Sequence, residues 1–353
     1  MTRRLLFLLV LAACALPART ATAQYGGADT ATVAQASRGR SVEGGLTARE
    51  PQGGAGGQTE KISRTVNIGA NGEIELSNIS GDITITRGSG TSAVIEAIKT
   101  ARGASADESR DILALVQVDI VERGTRAEAR VRYPGGDELR RQNRRNLDVS
   151  VAFTVAAPEG TRIIAKSISG NIQARDINGG LTLETVSGSV RIVSAARTAT
   201  GRSISGDIEI VDTKIDGPLE AGTISGTVRL RNMSARSIAL NTVSGDLDLD
   251  NITADRVGGQ AISGTITFRG DLQPNSRYEF TSHSGSIRLA IPPSSGFQIE
   301  ASSFSGSINT DIPVTMGGAQ PGRRGRGLRG TAGGGGATLD LTTFSGSISI
   351  TKR

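Results

Sequence analysis

From residue 161 onward, apolar and polar positions alternate with period two in short runs that recur around a Ser-Gly pair. Two and four residues after the glycine stand apolar pairs: Val190 and Ile192, Ile208 and Ile210, Val228 and Leu230, Leu247 and Leu249, Ile266 and Phe268, Ile287 and Leu289. Alternation of this kind puts both members on one face of a strand, directed inward. Pairs seven and five residues before the glycine, such as Leu181/Leu183, Ile238/Leu240, Tyr278/Phe280 and Leu339/Leu341, mark a second strand. A further apolar position lies two residues before the glycine: Ile168, Val186, Ile204, Ile224, Val243, Ile262, Phe304 and Phe344. It too is read as inward, which changes the parity between the two sets and requires a bend. Single apolar residues near the seventh position after the glycine (Ile177, Met233, Ile252) suggest a third short side.

The repeat glycines are Gly81, Gly170, Gly188, Gly206, Gly226, Gly245, Gly264, Gly285, Gly306 and Gly346. From Gly170 their intervals are 18, 18, 20, 19, 19, 21, 21 and 40 residues. A period near twenty with β-type residues predicts an all-β, right-handed parallel β-solenoid (β-helix) with an N-terminal α/β cap. Each repeat is one coil, and stacking makes the core. A glycine at one point of every coil implies a close backbone approach or a bend that a Cβ would obstruct. Three residues after each glycine the outward row reads Gln173, Arg191, Glu209, Arg229, Asp248, Thr267, Arg288, Asn309. Its alternating signs suit in-register coils ~4.8 Å apart.

Ahead of the repeats, residues 1–23 read as a secretory signal. Arg3 and Arg4 are followed by the apolar run Leu5 to Leu16 and by Ala21-Thr22-Ala23. A competing lipoprotein reading of Leu11-Ala12-Ala13-Cys14 would make Cys14 a lipid anchor. Either way the chain is expected outside the cytoplasm, in the periplasm, at the outer surface or secreted. Residues 24–60, rich in Gly, Ala, Ser, Thr and Gln, read as a disordered tether. Residues 61–160 read as the cap and first coil, with an Asn71-Gly72 hairpin, a weakly capped helix from Ser105 to Leu115, and strands near 116–122, 127–133 and 147–156. Residues 161–353 are the repeats, interrupted by a Gly/Arg-rich insert at 317–336 that is expected to loop out. The last repeat, around Gly346, is then the outermost coil, and its open edge suggests end-to-end self-association.

Composition narrows the functional classes. Aromatic residues are 3% of the chain and tryptophan is absent, which suits a narrow interior filled by Ile, Val and Leu. Loss of Arg3, Arg4 and Arg19 with the signal leaves a formal charge of +3, too mild to imply nucleic acid. Cys14 is the sole cysteine, so no disulfide staples the repeats. No glycine-rich string opens a helix, so no nucleotide site and no cofactor is expected.

These residues resemble the bacterial "putative adhesin" family, secreted β-solenoid domains of unknown function with recurrent Ser-Gly coils. The likeness covers roughly Lys61 to Lys352, including Tyr133-Pro134 and the stretch VSVAFTVAAPEGTRI that leads into the coils. It implies attachment to a surface or envelope and supplies no catalytic residues. The expected role is therefore a non-enzymatic, adhesin-like interaction scaffold whose partner is an envelope or surface protein or a polysaccharide. The alternative is a carbohydrate-active enzyme, a polysaccharide hydrolase or lyase, on the same fold.

Side chains with chemical potential are few. His283, the sole histidine, takes the position two before the glycine and is read as a core or corner residue. Asp207 and Asp246 share the position after the glycine two coils apart, ~9.6 Å, near the spacing of an inverting glycosidase pair. Asp246, Asp248 and Asp250 could hold Ca²⁺ but for the arginines on adjacent coils. Neither constellation is strong enough to assign a catalytic or metal site. Two basic clusters remain: Arg140, Arg141, Arg144 and Arg145, and Arg323, Arg324, Arg326 and Arg329 in the insert. The second is the better candidate for a weak polyanion contact.

Overall fold

The structure, a computed structural model, describes residues 57–135, 147–316 and 326–353. The signal and lipoprotein readings, Cys14, the tether as far as residue 56, and the cluster Arg140, Arg141, Arg144 and Arg145 lie outside the described residues. So do Arg323 and Arg324. All strands join one 24-stranded sheet, with a single helix among the described residues.

The N-terminal strands are β1 (Gly57–Asn67), β2 (Glu73–Ser77), β3 (Ile83–Arg87) and β4 (Ser92–Arg102), followed by helix α1 (Ala106–Leu115). Then come β5 (Gln117–Arg123), β6 (Arg126–Arg132) and β7 (Val149–Ala157). Strand β1 takes in residues 57–60, assigned above to the tether, and pairs antiparallel with β4. The Asn71-Gly72 turn joins β1 to β2, yet these strands do not pair as a hairpin. β2 instead lies in parallel between β6 and the first repeat. Helix α1 starts at Ser105, whose hydroxyl accepts the Glu108 N–H at 3.1 Å while the Glu108 carboxylate accepts the Ala104 N–H at 2.7 Å. This is a variant of the capping box, readable in the sequence as Ser-x-x-Glu. The buried Lys99 amine closes the other end, donating to the Leu113 and Val116 carbonyls, each at 3.1 Å, and pairing with Glu60 at 2.6 Å.

Each repeat supplies a strand before its Ser-Gly and one after it. These strands are β8 (Arg162–Ser169), β9 (Ile172–Arg175), β10 (Leu181–Ser187), β11 (Val190–Val193) and β12 (Ala199–Ser205). They continue as the long, bent β13 (Ile208–Ser225), β14 (Val228–Ser244) and β15 (Leu247–Ser263), then β16 (Ile266–Arg269), β17 (Arg277–Ser282) and β18 (Ile287–Ile291). Consecutive repeats pair in parallel and in register: Ile208 with Val228 and Val228 with Leu247, Leu219 with Ile238 and Ile238 with Val257. The paired residues after the glycine are fully buried, as are Leu183, Leu219, Val257, Tyr278 and Phe280 before it. The bent strands turn at Asp212, Asn232 and Asn251, which hold left-handed φ of 49°, 50° and 55°. Asn and Asp tolerate this conformation better than most side chains. Past the corner Ile177, Met233 and Ile252 are buried, forming the third short side.

The glycines form one column. A Cβ on Gly206, Gly226, Gly245, Gly264 or Gly285 would overlap the carbonyl oxygen of the glycine in the preceding repeat. Beside the column runs an interrupted ladder absent from the sequence reading, at the third position before the glycine; Ser167 and Thr242 are buried there without a hydrogen-bond partner and Ala261 has no hydroxyl. Thr185, Ser203 and Thr223 are buried, and their hydroxyls donate to the Gly170, Gly188 and Gly206 carbonyls at 3.2, 3.0 and 3.0 Å. Thr223→Val keeps the volume and removes one such bond. It should cost about 1 kcal/mol, read as a lower denaturation midpoint at unchanged slope.

The C-terminal repeats depart from sequential stacking. The remaining strands are β19 (Phe297–Ser303), β20 (Ile308–Thr310), β21 (Thr315–Met316), β22 (Arg326–Ala332), β23 (Ala337–Thr343) and β24 (Ile348–Lys352). β23 lies between β17 and β19, and β24 between β18 and β20. The repeat around Gly346 is therefore internal, and the one around Gly306 lies outside it. This corrects the expectation that the last repeat is the outermost one; the array ends on the repeat around Gly306. The insert does not loop out throughout either: β22 pairs antiparallel with β19 and covers its edge. Insertion of the later strands explains the 40-residue interval: β19 and β20 form one repeat, β22 runs back along its outer edge, and β23 and β24 then enter beneath it.

Candidate functional site: an exposed apolar ridge

Strand alternation decides what the outer surface carries. Positions seven, five and three before the glycine point inward, so the apolar residue two before it must point out. Ile79, Ile168, Val186, Ile204, Ile224, Val243, Ile262, Phe344 and Phe304 are between 38% and 60% exposed. His283 is exposed with them. The inward assignment of this position, His283 included, is thus corrected: the parity change falls at the Ser-Gly itself. The bend lets the chain pass from an inward third-before position to an inward second-after position.

Stacked in register, these ten side chains make a row ~43 Å long at ~4.8 Å per repeat. Its C-terminal end is aromatic. The His283 and Phe344 rings stack at 4.9 Å between centroids with 9° between planes, and Phe344 and Phe304 at 4.7 Å with 5°. His283 neighbours Ile262 and Phe344, not Phe304, because β23 is inserted there. Summed over the row, the exposed area is on the order of 900 Å², beyond the few hundred Å² usual for an apolar patch on a soluble monomer.

Polar rows flank the ridge. On one side, four residues before each glycine, stand Lys166, Glu184 and Arg202, then the uncharged Gly222, Asn241, Gln260, Thr281 and Thr342. Lys166 pairs with Glu184 at 3.2 Å and Arg202 with Glu220 at 3.4 Å. On the other side the residue after the glycine serves the backbone where it is Asp or Asn. Asp207 accepts the Thr227 N–H at 2.8 Å and Asp246 the Thr265 N–H at 2.7 Å. Both acids considered for a glycosidase pair are therefore engaged in joining one repeat to the next. The outward charge row pairs as its signs suggest: Arg191 with Glu209, and Arg229 with Asp248 at 3.8 Å and with Asp207 at 3.4 Å. Asp248 of the Ca²⁺ reading is thus held by an arginine, and no group of three metal-ligating side chains occurs among the described residues. Near the aromatic end, burial and the adjacent Glu279 raise the Asp340 carboxyl above its ordinary range, Arg277 at 3.3 Å opposes this, and Glu300 adds to it.

Of the basic cluster in the insert, Arg326 begins β22, and Arg329 stands exposed opposite Glu300 in the β19–β22 pairing. Among the described residues, no helix is long and apolar enough to cross a membrane.

The family model Toastrack DUF4097 matches residues 73–351. The chain belongs to this family, in agreement with the resemblance to the "putative adhesin" domains. Solved structures similar to it include a "putative adhesin" from Bacteroides fragilis, at 15% identity over 83% of this chain and 97% of the other, with a TM-score of 0.41. Another is a "putative lipid binding protein" from Parabacteroides distasonis, at 13% identity over 83% and 96%, TM-score 0.43. A third is a "putative adhesin" from Parabacteroides merdae, at 12% identity over 83% and 96%, TM-score 0.42. No curated protein matches the chain. The family assignment rests on the family model and not on these structural likenesses.

Proposed function

We propose that the chain is a non-enzymatic, adhesin-like interaction scaffold acting outside the cytoplasm. Its array is a right-handed β-solenoid with an N-terminal α/β cap, and the apolar ridge is its contact surface. The ridge is the observation that carries this reading. Inward side chains account for the core without it, so nine large apolar residues in an exposed register position answer no need of folding. In water such a row is a standing cost that a partner removes. The backbone beneath it is held by parallel pairing in every repeat, so the surface is presented in one shape and little ordering entropy is lost on contact. The signal-like N-terminus supports export.

The test is retention on intact cells that express the chain. Ile224→Lys with Val243→Lys places two charges on the ridge at exposed positions and leaves the core untouched. Retention should fall at least tenfold, because a charge buried unpaired in an apolar contact costs more than the ~1.4 kcal/mol that a factor of ten represents. Retention equal to that of the unaltered chain would remove the ridge from the function.

A further inference from the structure

We propose that the partner of the ridge is a second copy of this chain, docked ridge to ridge in antiparallel orientation about a two-fold axis. The proposal rests on the reading of the ridge as the contact surface and names what covers it.

The first support is area. On the order of 900 Å² of ridge surface per copy compares with the ~800 Å² that each partner contributes to a stable interface of standard size. The second is shape. The ridge carries one residue per ~4.8 Å, so an identical row has the same period along its length. An isologous contact of this kind closes on itself and adds no further copies.

The third is the distribution of size and charge. Antiparallel docking sets the small Ile and Val of one end against the stacked rings of the other: Ile168 meets Phe344, Val186 meets His283, and Ile224 meets Val243. Parallel docking would instead set His283 against His283 and leave both phenylalanines of each copy at one thick end. In the rows beside the ridge, antiparallel docking also keeps like charges apart. Lys166 falls opposite Thr342, Glu184 opposite Thr281, Arg202 opposite Gln260, and Asp207 opposite Thr265. Each charged flanking residue thus meets an uncharged one, the arrangement that avoids the repulsion like charges would impose.

Sedimentation of the purified full chain across a concentration series reads the association, with Cys14→Ser as background. The unaltered chain should be a dimer, since interfaces of this area have dissociation constants of ~1 μM or tighter. Ile224→Lys with Val243→Lys sets two lysines against two and should weaken association at least ~100-fold. Thr267→Lys, on the outward charge row, should leave it unchanged, and circular dichroism shows that each variant is folded. Orientation is read by mixing Ile168→Cys and Phe344→Cys chains under oxidation. Antiparallel docking gives the mixed disulfide, and a parallel contact gives only like-with-like products. A chain that stays monomeric at ~100 μM, or a dimer indifferent to the ridge lysines, overturns the proposal. So does a monomer that floats with phosphatidylcholine vesicles through the ridge, which would make the occupant a lipid surface. A monomer whose cell retention still depends on the ridge would sink the dimer and keep the scaffold. A ridge-dependent dimer whose retention ignores the ridge would do the reverse.

Discussion

Gly245→Ala should lower the stability of the array by about 3 kcal/mol or more, while Gly258→Ala, thirteen residues on and inside β15, should cost nothing. The added carbon is the same; the surroundings differ. At Gly245 a Cβ would overlap the carbonyl oxygen of Gly226, a backbone atom fixed by the parallel pairing of β13, β14 and β15. Relief would require the repeats to separate locally, loosening hydrogen bonds on both sides of the column. At Gly258 the nearest atom to an added Cβ is the Ile238 carbonyl oxygen at 3.7 Å, an ordinary contact. The backbone there is extended, so alanine gains by losing less freedom on folding, by up to ~0.5–1 kcal/mol. Thermal or denaturant unfolding of the two variants beside the parent checks both signs. Equal, small changes would mean that the glycine column is not a close approach at all.

The period of the glycines made the stacked parallel strands legible, because strand alternation and a fixed repeat leave few other ways to bury so many Ile, Val and Leu residues. The family was legible for the same reason. What misled was the equation of apolar with buried. Reading parity outward from Leu181 and Leu183 would have placed Thr185 inside and Val186 outside, and the run of Ser and Thr at that inner position was in plain view. The same run held the hydroxyl ladder, which needs small side chains that can reach a carbonyl without filling the core. The order of the last two repeats was not legible. Stacking pairs depend on which strand reaches an edge first in space, and the repeats around Gly306 and Gly346 have nearly the same pattern. Either could follow Gly285. The 40-residue interval showed that something intervened, but a loop and a strand that doubles back leave the same gap in the glycine count.

That exchange of order has a consequence large enough to measure. If the repeats stacked in sequence, deleting residues 337–353 would peel one outer layer and leave the rest standing. In the observed order the deletion removes an inner layer. β17 and β18 each lose the partner on one edge, and β19 and β20 lose their only parallel neighbours among the described residues. Leu339, Leu341, Ile348 and Ile350 are fully buried, and their transfer from water contributes about 6–12 kcal/mol, partly offset by the entropy of ordering seventeen residues. With that layer gone, the β19–β22 pair has no sheet to rest on unless it shifts down by a whole repeat. The truncated chain should therefore melt at a lower temperature and with less cooperativity. Limited proteolysis should cut it freely beyond Ile291 while the repeats from Gly170 to Gly264 stay protected. Removing only residues 326–332, the antiparallel strand laid along β19, should be milder and should mainly expose the edge of β19. The comparison is decisive in one direction. Should the chain lacking 337–353 keep the parent's melting temperature and cooperativity as well as its protection of residues 297–303, no inner layer has been removed, and the interleaved order of the last repeats would be wrong.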